Sequence, residues 1–107
     1  MEDIFTIASL KEEAHKVLPK GGSLWLYGSR ARGDNSKESD WDLLILIDKN
    51  EVETSDFDNI SYPLIEYGWH FGADISPQIY TRKEWDRMKN TPYHNNVEQE
   101  KIVIYES

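Results

Sequence analysis

Asp40 and Asp42 stand one residue apart at the entrance to Leu43–Ile47, the longest unbroken aliphatic run of the chain. On a strand, residues two apart face the same side, so the two carboxylates sit about 6 to 7 Å apart along one face. Trp41 then points into the packing on the other face, while Leu44 and Leu46 continue the acids' own face. Two anions at the mouth of a buried sheet repel each other and resist desolvation. A divalent cation relieves both problems. Oxygen-only ligation suits a hard ion such as Mg²⁺, which keeps several waters and takes one or two carboxylates plus substrate phosphates. The same pair also reads as a turn acid, Asp40, followed by a strand-edge acid, Asp42, and taken alone the pair favours that second reading.

Ten residues separate Asp40 from the pair Gly28-Ser29, which directly follows the alternating segment Ser23–Tyr27. A residue without a side chain lets a ligand approach the backbone, and the free N–H groups of a following helical turn can hold phosphate oxygens. Gly-Ser pairs also close ordinary turns. Between the pair and the acids lie Arg30, Arg32 and Lys37, in a connector that Gly33, Asp34, Asn35 and Ser36 mark as a turn. Cations so placed can neutralise a triphosphate or a departing pyrophosphate. For Lys37 plain solvation explains the residue equally well.

The elements that must position these residues follow from periodicity. Ile4, Ile7, Leu10, Ala14, Val17 and Leu18 recur at helical spacing, and Pro19, Gly21 and Gly22 end the run. Ser23–Tyr27 reads as a short strand. Trp41–Ile47, apolar on both faces below its acids, reads as a central strand covered on both sides. Residues 55–69 predict a helix that Pro63 kinks or starts. Residues 74–80 predict a third strand, which Pro77 assigns to an edge or a bulge. Thr81-Arg82-Lys83-Glu84 fits a capping box, opening a helix that carries Trp85 and Met88 inward. Asn90, Thr91 and Pro92 break that helix; a turn or two near residues 95–101 and a last strand over 102–105 follow. The order predicts one α/β (α+β) domain over residues 1–107, a mixed β-sheet with helices packed on it. Trp25 and Tyr27 read first as core and second as a stacking surface for a base or ribose, and Trp41, Trp69 and Trp85 as packing residues. The basic run Arg82, Lys83, Arg87 and Lys89 reads as a solvated face.

Composition narrows the function. A chain of 107 residues with 38% hydrophobic content supports one modest core. Its formal charge of −8 argues against general nucleic-acid binding. There is no cysteine, so thiolate metal sites and disulfides are excluded, and His15, His70 and His94 lack zinc-like spacing. No segment reads as a membrane span or a signal peptide, which makes the cytoplasm the expected compartment.

Taken together, Gly28-Ser29, the ten-residue spacing and Asp40-x-Asp42 on a hydrophobic strand resemble the DNA polymerase beta-like nucleotidyltransferase superfamily. In detail GSRARG and SDWDLLILID resemble its minimal nucleotidyltransferase branch, which includes antitoxins paired with HEPN-domain ribonuclease toxins. The resemblance covers most of the chain and implies a palm-like nucleotidyltransferase core. It implies that Gly28 and Ser29 hold the β- and γ-phosphates of a nucleoside triphosphate, with Arg30 and Arg32 beside them. It implies that Asp40 and Asp42 bind two Mg²⁺ ions, and that Asp74, at the start of ADISPQIY, is the third carboxylate. The implied reaction moves a nucleoside monophosphate, AMP from ATP, to an acceptor hydroxyl with release of pyrophosphate. The implied acceptor lies on another subunit, a HEPN-type toxin or a second copy. A second reading from another class is a non-catalytic module that neutralises its partner by contact. One departure stands out: the family's R-E-G-V-type segment reads here Gln99-Glu100-Lys101-Ile102.

Overall fold

The computed structural model describes residues 5–107. The expected first helical position, Ile4, lies outside the described residues. Thr6 caps α1 (Ile7–Val17), accepting from the Ser9 amide while the Ser9 side chain accepts from the Thr6 amide. The chain then runs through β1 (Ser23–Tyr27), a single turn α2 (Ser29–Arg32) and β2 (Trp41–Ile47). Next come α3 (Thr54–Asp56), a π-helical turn (Phe57–Ser61) and α4 (Tyr62–Trp69). β3 (Ile75–Thr81), α5 (Arg82–Arg87), α6 (Pro92–Glu100) and β4 (Ile102–Glu106) complete the order.

The strands form one sheet ordered β3-β2-β1-β4, with β1 antiparallel to β2 and β4 and β2 parallel to β3. Its mixed character and its helices agree with the α/β (α+β) expectation. Alternation sorts the side chains into two cores. Leu24, Leu26, Leu43, Ile45 and Ile47 pack with Leu10 and Ala14 of α1 and Leu64 of α4 on one face. Trp25, Leu44 and Leu46 pack with Trp85 of α5 and Val97 of α6 on the other. That second face is the one on which Asp40 and Asp42 lie.

Differences from the sequence reading have local causes. Pro63 stands in the first turn of α4, as expected of a proline that marks a helix start, but a π-helical turn precedes it. A proline ring collides with the carbonyl four residues back and supplies no N–H. Here the chain widens into a π-turn just before it, in which the Tyr62 amide reaches back to Phe57 O, and the helix continues. Pro77 lies, as expected, in an edge strand, β3, where a missing N–H is tolerated. Pro92 starts a helix: Thr91 caps α6 by accepting from the His94 amide, and proline is favoured at the first helical position. The last helix is therefore longer than residues 95–101.

Trp69 is a correction, being 64% exposed rather than packed. Gly68 turns toward the sheet, where a side chain would crowd Ile75 Cδ1 and the Ala73 carbonyl. A residue about 100° further round the helix must point outward. Arg82 also departs from its solvated reading, since its guanidinium donates to Gly21 O and Ser23 Oγ. Among the described residues no helix is long and apolar enough to cross a membrane.

Candidate active site

The acid pair sits where the sheet runs out of apolar cover. Tyr27 lies across the ladder from Asp42, as Trp25 does from Leu44 one step deeper. Asp40 is exposed and Asp42 is partly buried. Burial pushes the Asp42 carboxyl above its usual range, and the charges of Asp40 and then Glu100 push it the same way, while Arg32 opposes them. Among the described residues neither Asp40 nor Asp42 is held by a lysine or arginine in an ion pair.

Gly28 shapes the space beside them. Its φ of +78° belongs to the region that favours glycine, and a Cβ there would overlap Asp42 Oδ2. The glycine therefore admits Asp42 against the backbone. From Gly28 O the turn closes onto the amides of Ala31 and Arg32 at 3.1 Å each. The amides of Ser29 and Arg30 donate to no partner among the described residues. They are the open donors of the turn, at the carboxyl end of β1 and close to Asp42.

Arg30 is directed elsewhere. Its guanidinium donates to the carbonyls of Ser39 and Lys37 and lies over the Trp41 ring at 4.5 Å. It braces the connector between Gly33 and Asp40. Arg32 donates to Asp34 Oδ2 at 3.2 Å and to Glu100 Oε2 at 3.0 Å. Lys37 is exposed, on the rim of an open hollow of about 890 Å³. Asp74 lines the same hollow with Trp41, Phe5 and Phe71. Its carbonyl accepts from the Trp41 amide at 2.8 Å, and the parallel register sets Asp74 opposite Asp40. Among the described residues no three Asp, Glu, His or Cys side chains converge as a preformed metal cage. The acid pair and Asp74 are thus neighbours across two strands rather than one cluster.

The profile of the family described as "Nucleotidyltransferase domain" matches residues 7–105. The chain belongs to this family. The nucleotidyltransferase is 32% identical over 80 residues to a protein of Methanocaldococcus jannaschii that carries the name "Putative protein adenylyltransferase", a match covering 75% of this chain and 74% of that one. In fold it is similar to a chain of a toxin–antitoxin crystallised with AMP-PNP, with a TM-score of 0.67, 14% identity, and 96% and 75% of the two chains covered. A chain of a mutant toxin–antitoxin MntA-HpeT gives 0.65 at 12% identity, with 96% and 75% covered. A "putative nucleotidyltransferase" from Sulfolobus solfataricus gives 0.60 at 22% identity, with 94% and 79% covered.

The donor set of the nucleotidyltransferase fits Mg²⁺. Asp40 and Asp42 offer oxygens only, and among the described residues neither is in an ion pair with a lysine or arginine. Sequence reasoning missed two residues of this neighbourhood, Glu100 and Tyr93. Glu100 Oε1 accepts from the Gly28 amide at 2.8 Å, so that amide is engaged within the fold. Tyr93 donates to the Tyr27 hydroxyl at 3.0 Å beside Asp42, and burial raises the pKa of both tyrosines. Tyr27 itself, read first as core, stands half-buried at the edge of the site. The Gln99-Glu100-Lys101-Ile102 segment was the one available signal for Glu100, and its partner lies 72 residues away.

Proposed function

We propose that this nucleotidyltransferase moves AMP from ATP to a hydroxyl of a protein partner, releasing pyrophosphate, with Mg²⁺ held by Asp40 and Asp42. The observation that carries the proposal is the coincidence of Asp42, held in no ion pair among the described residues and seated against Gly28, with the open amides of Ser29 and Arg30 in the adjoining turn. Mg²⁺ bound there would neutralise charge building at the α-phosphorus and on the leaving pyrophosphate. The Ser29 hydroxyl and the amides of Ser29 and Arg30 receive the β- and γ-phosphates, and Gly28 supplies the clearance. Arg32 adds positive charge beside them, while Arg30 acts by holding the connector that delivers Asp40. Asp74, opposite Asp40 in the register, takes the proton of the acceptor hydroxyl as its oxygen bonds to the α-phosphorus and the bond to the β-phosphate breaks. Most of the acceleration comes from placement and charge neutralisation, since the protein has little covalent chemistry to supply.

The partner we propose is a HEPN-type toxin, which makes the chain an enzymatic antitoxin. Support comes from the fold shared with chains crystallised as toxin–antitoxin complexes and from the relative named as a protein adenylyltransferase. ATP is a cytoplasmic metabolite, and we take the cytoplasm as the compartment. Incubation with ATP labelled at the α-phosphate, Mg²⁺ and a lysate of its own organism tests the reading. Label should pass to a protein with the wild-type chain and not with Asp42→Asn. Calorimetry that finds no magnesium-dependent heat with any nucleoside triphosphate would instead mark a module acting by contact alone.

A further inference from the structure

We propose that Glu100 is the positioning residue of the Gly28–Arg32 turn. One carboxylate holds the amide that opens the turn and the guanidinium that closes it, and so fixes where Ser29 stands relative to Asp42. Glu100 Oε1 accepts from Gly28 N–H at 2.8 Å and Oε2 accepts from Arg32 Nη1 at 3.0 Å. The inference rests on the nucleotidyl-transfer reading given above and adds to it a residue that contacts neither nucleotide nor acceptor.

The sheet explains why a side chain does this work. The last backbone pair of β1 and β4 is Leu26 with Ile102, so two residues further on Gly28 lies opposite Glu100. There β4 has already given way to α6, where the Lys101 amide closes on Val97 O. The backbone of residue 100 is helical, and the buried Gly28 amide would lack a partner unless a side chain replaced the ladder. Glu100 does so from a side chain only 18% exposed. Its own segment is anchored nearby: Glu98 accepts from Trp85 Nε1 and from Lys101 Nζ, and Lys101 lies over the Trp25 ring.

The placement runs against general rules. A carboxylate in the last turn of a helix meets the negative end of the helix dipole, and this one also adds to the negative charge at Asp42. The two contacts to the turn account for it. Their consequence passes through Gly28, whose Cα lies against Asp42: what fixes Gly28 from the β4 side fixes the wall on which Asp42 rests. Competition with phosphate is not the role, because the open amides of the turn are those of Ser29 and Arg30. Each oxygen of the carboxylate already accepts from one donor of the turn.

Glu100→Ala and Glu100→Gln, assayed with ATP and Mg²⁺, separate the possibilities. Alanine should lower kcat on the order of tenfold to a hundredfold, the scale of a misplaced reacting group, and leave the KM for ATP within about threefold. Glutamine should recover part of the loss, because its amide oxygen can accept from Gly28 while its NH₂ cannot accept from Arg32. An unchanged kcat in the alanine variant, a rise in KM alone, or a glutamine variant no better than alanine would overturn the assignment. Amide exchange followed by NMR gives a readout independent of activity. The Gly28 amide should exchange at least about tenfold faster in Glu100→Ala while the amides of β2 keep their wild-type protection, which also shows that the variant is folded. If the wild-type chain transferred nucleotide to nothing, the proposed function would fall, and the Gly28 exchange rate would still decide for or against Glu100.

Discussion

Asp42 is partly withdrawn from water with Asp40 two residues before it and Glu100 across the turn, so its charged form is opposed by burial first and by like charge second. A carboxyl whose pKa is raised in the folded chain binds more protons folded than unfolded across the interval between the two pKa values. Stability then falls as pH rises through that interval and stays lower above it. At pH 7 and without divalent metal, Asp42 therefore costs stability. Asp42→Asn should raise the melting temperature there by a few degrees. The advantage should shrink as pH drops toward the ordinary carboxyl value of 3.8. Thermal unfolding in chelator at the two pH values checks this, and a variant less stable at pH 7 would contradict it. The same variant should lose transfer by about a thousandfold or more, as when a charge-stabilising group is removed from a reacting centre. Gain of stability with loss of activity would identify Asp42 as a residue kept for chemistry.

Short elements hold the site, and each depends on one or two residues. Gly28→Ala forces a side chain into space that Asp42 Oδ2 occupies, at a φ of +78°. It should lower stability by about 1–3 kcal/mol, read from denaturant unfolding, and remove nucleotide binding with it. Thr81 is fully buried and opens α5 by accepting from Glu84 N, while Glu84 Oε1 accepts from Thr81 N. Thr81→Ala should cost about 1–2 kcal/mol and leave kcat unchanged, since α5 contributes Trp85 to the core behind the acids and nothing to the turn. That capping box was legible because its two members are three residues apart. β2 was legible because five consecutive aliphatic residues at a sheet centre admit few other readings. The π-turn before Pro63 was not, since helical periodicity assumes a constant period. Pro92 has the same chemistry whether it ends one helix or starts the next, and only the Thr91 cap tells which. The acids' shared face followed from strand alternation, whereas Glu100 was hidden because its partner is a backbone amide distant in sequence.

At the scale of the whole molecule the charge decides how the nucleotide can bind. A chain of formal charge −8, with Asp40, Asp42 and Glu100 beside the turn, repels a free triphosphate. Arg32 cannot offset this alone, because it already donates to Asp34 and Glu100. Neither Mg²⁺ nor nucleotide by itself should therefore stabilise the fold appreciably, and the pair should do so more than the sum of the two. With both present and the nucleotide at a hundredfold above its Kd, linkage gives about 2.7 kcal/mol. For a domain of this size that is a rise of roughly 10 °C in melting temperature. A non-hydrolysable ATP analogue, with and without Mg²⁺, makes the measurement free of turnover. The synergy should vanish in Asp42→Asn, in which one ligand oxygen is lost, and persist in Thr81→Ala, which lies away from the turn. Raising monovalent salt to screen exposed charges should lift the binding of free nucleotide slightly without supplying the synergy, because screening weakens repulsion but does not bridge two carboxylates to a phosphate. An equal rise in melting temperature in the presence of chelator would show that the nucleotide is held without metal. The acid pair would then need another explanation.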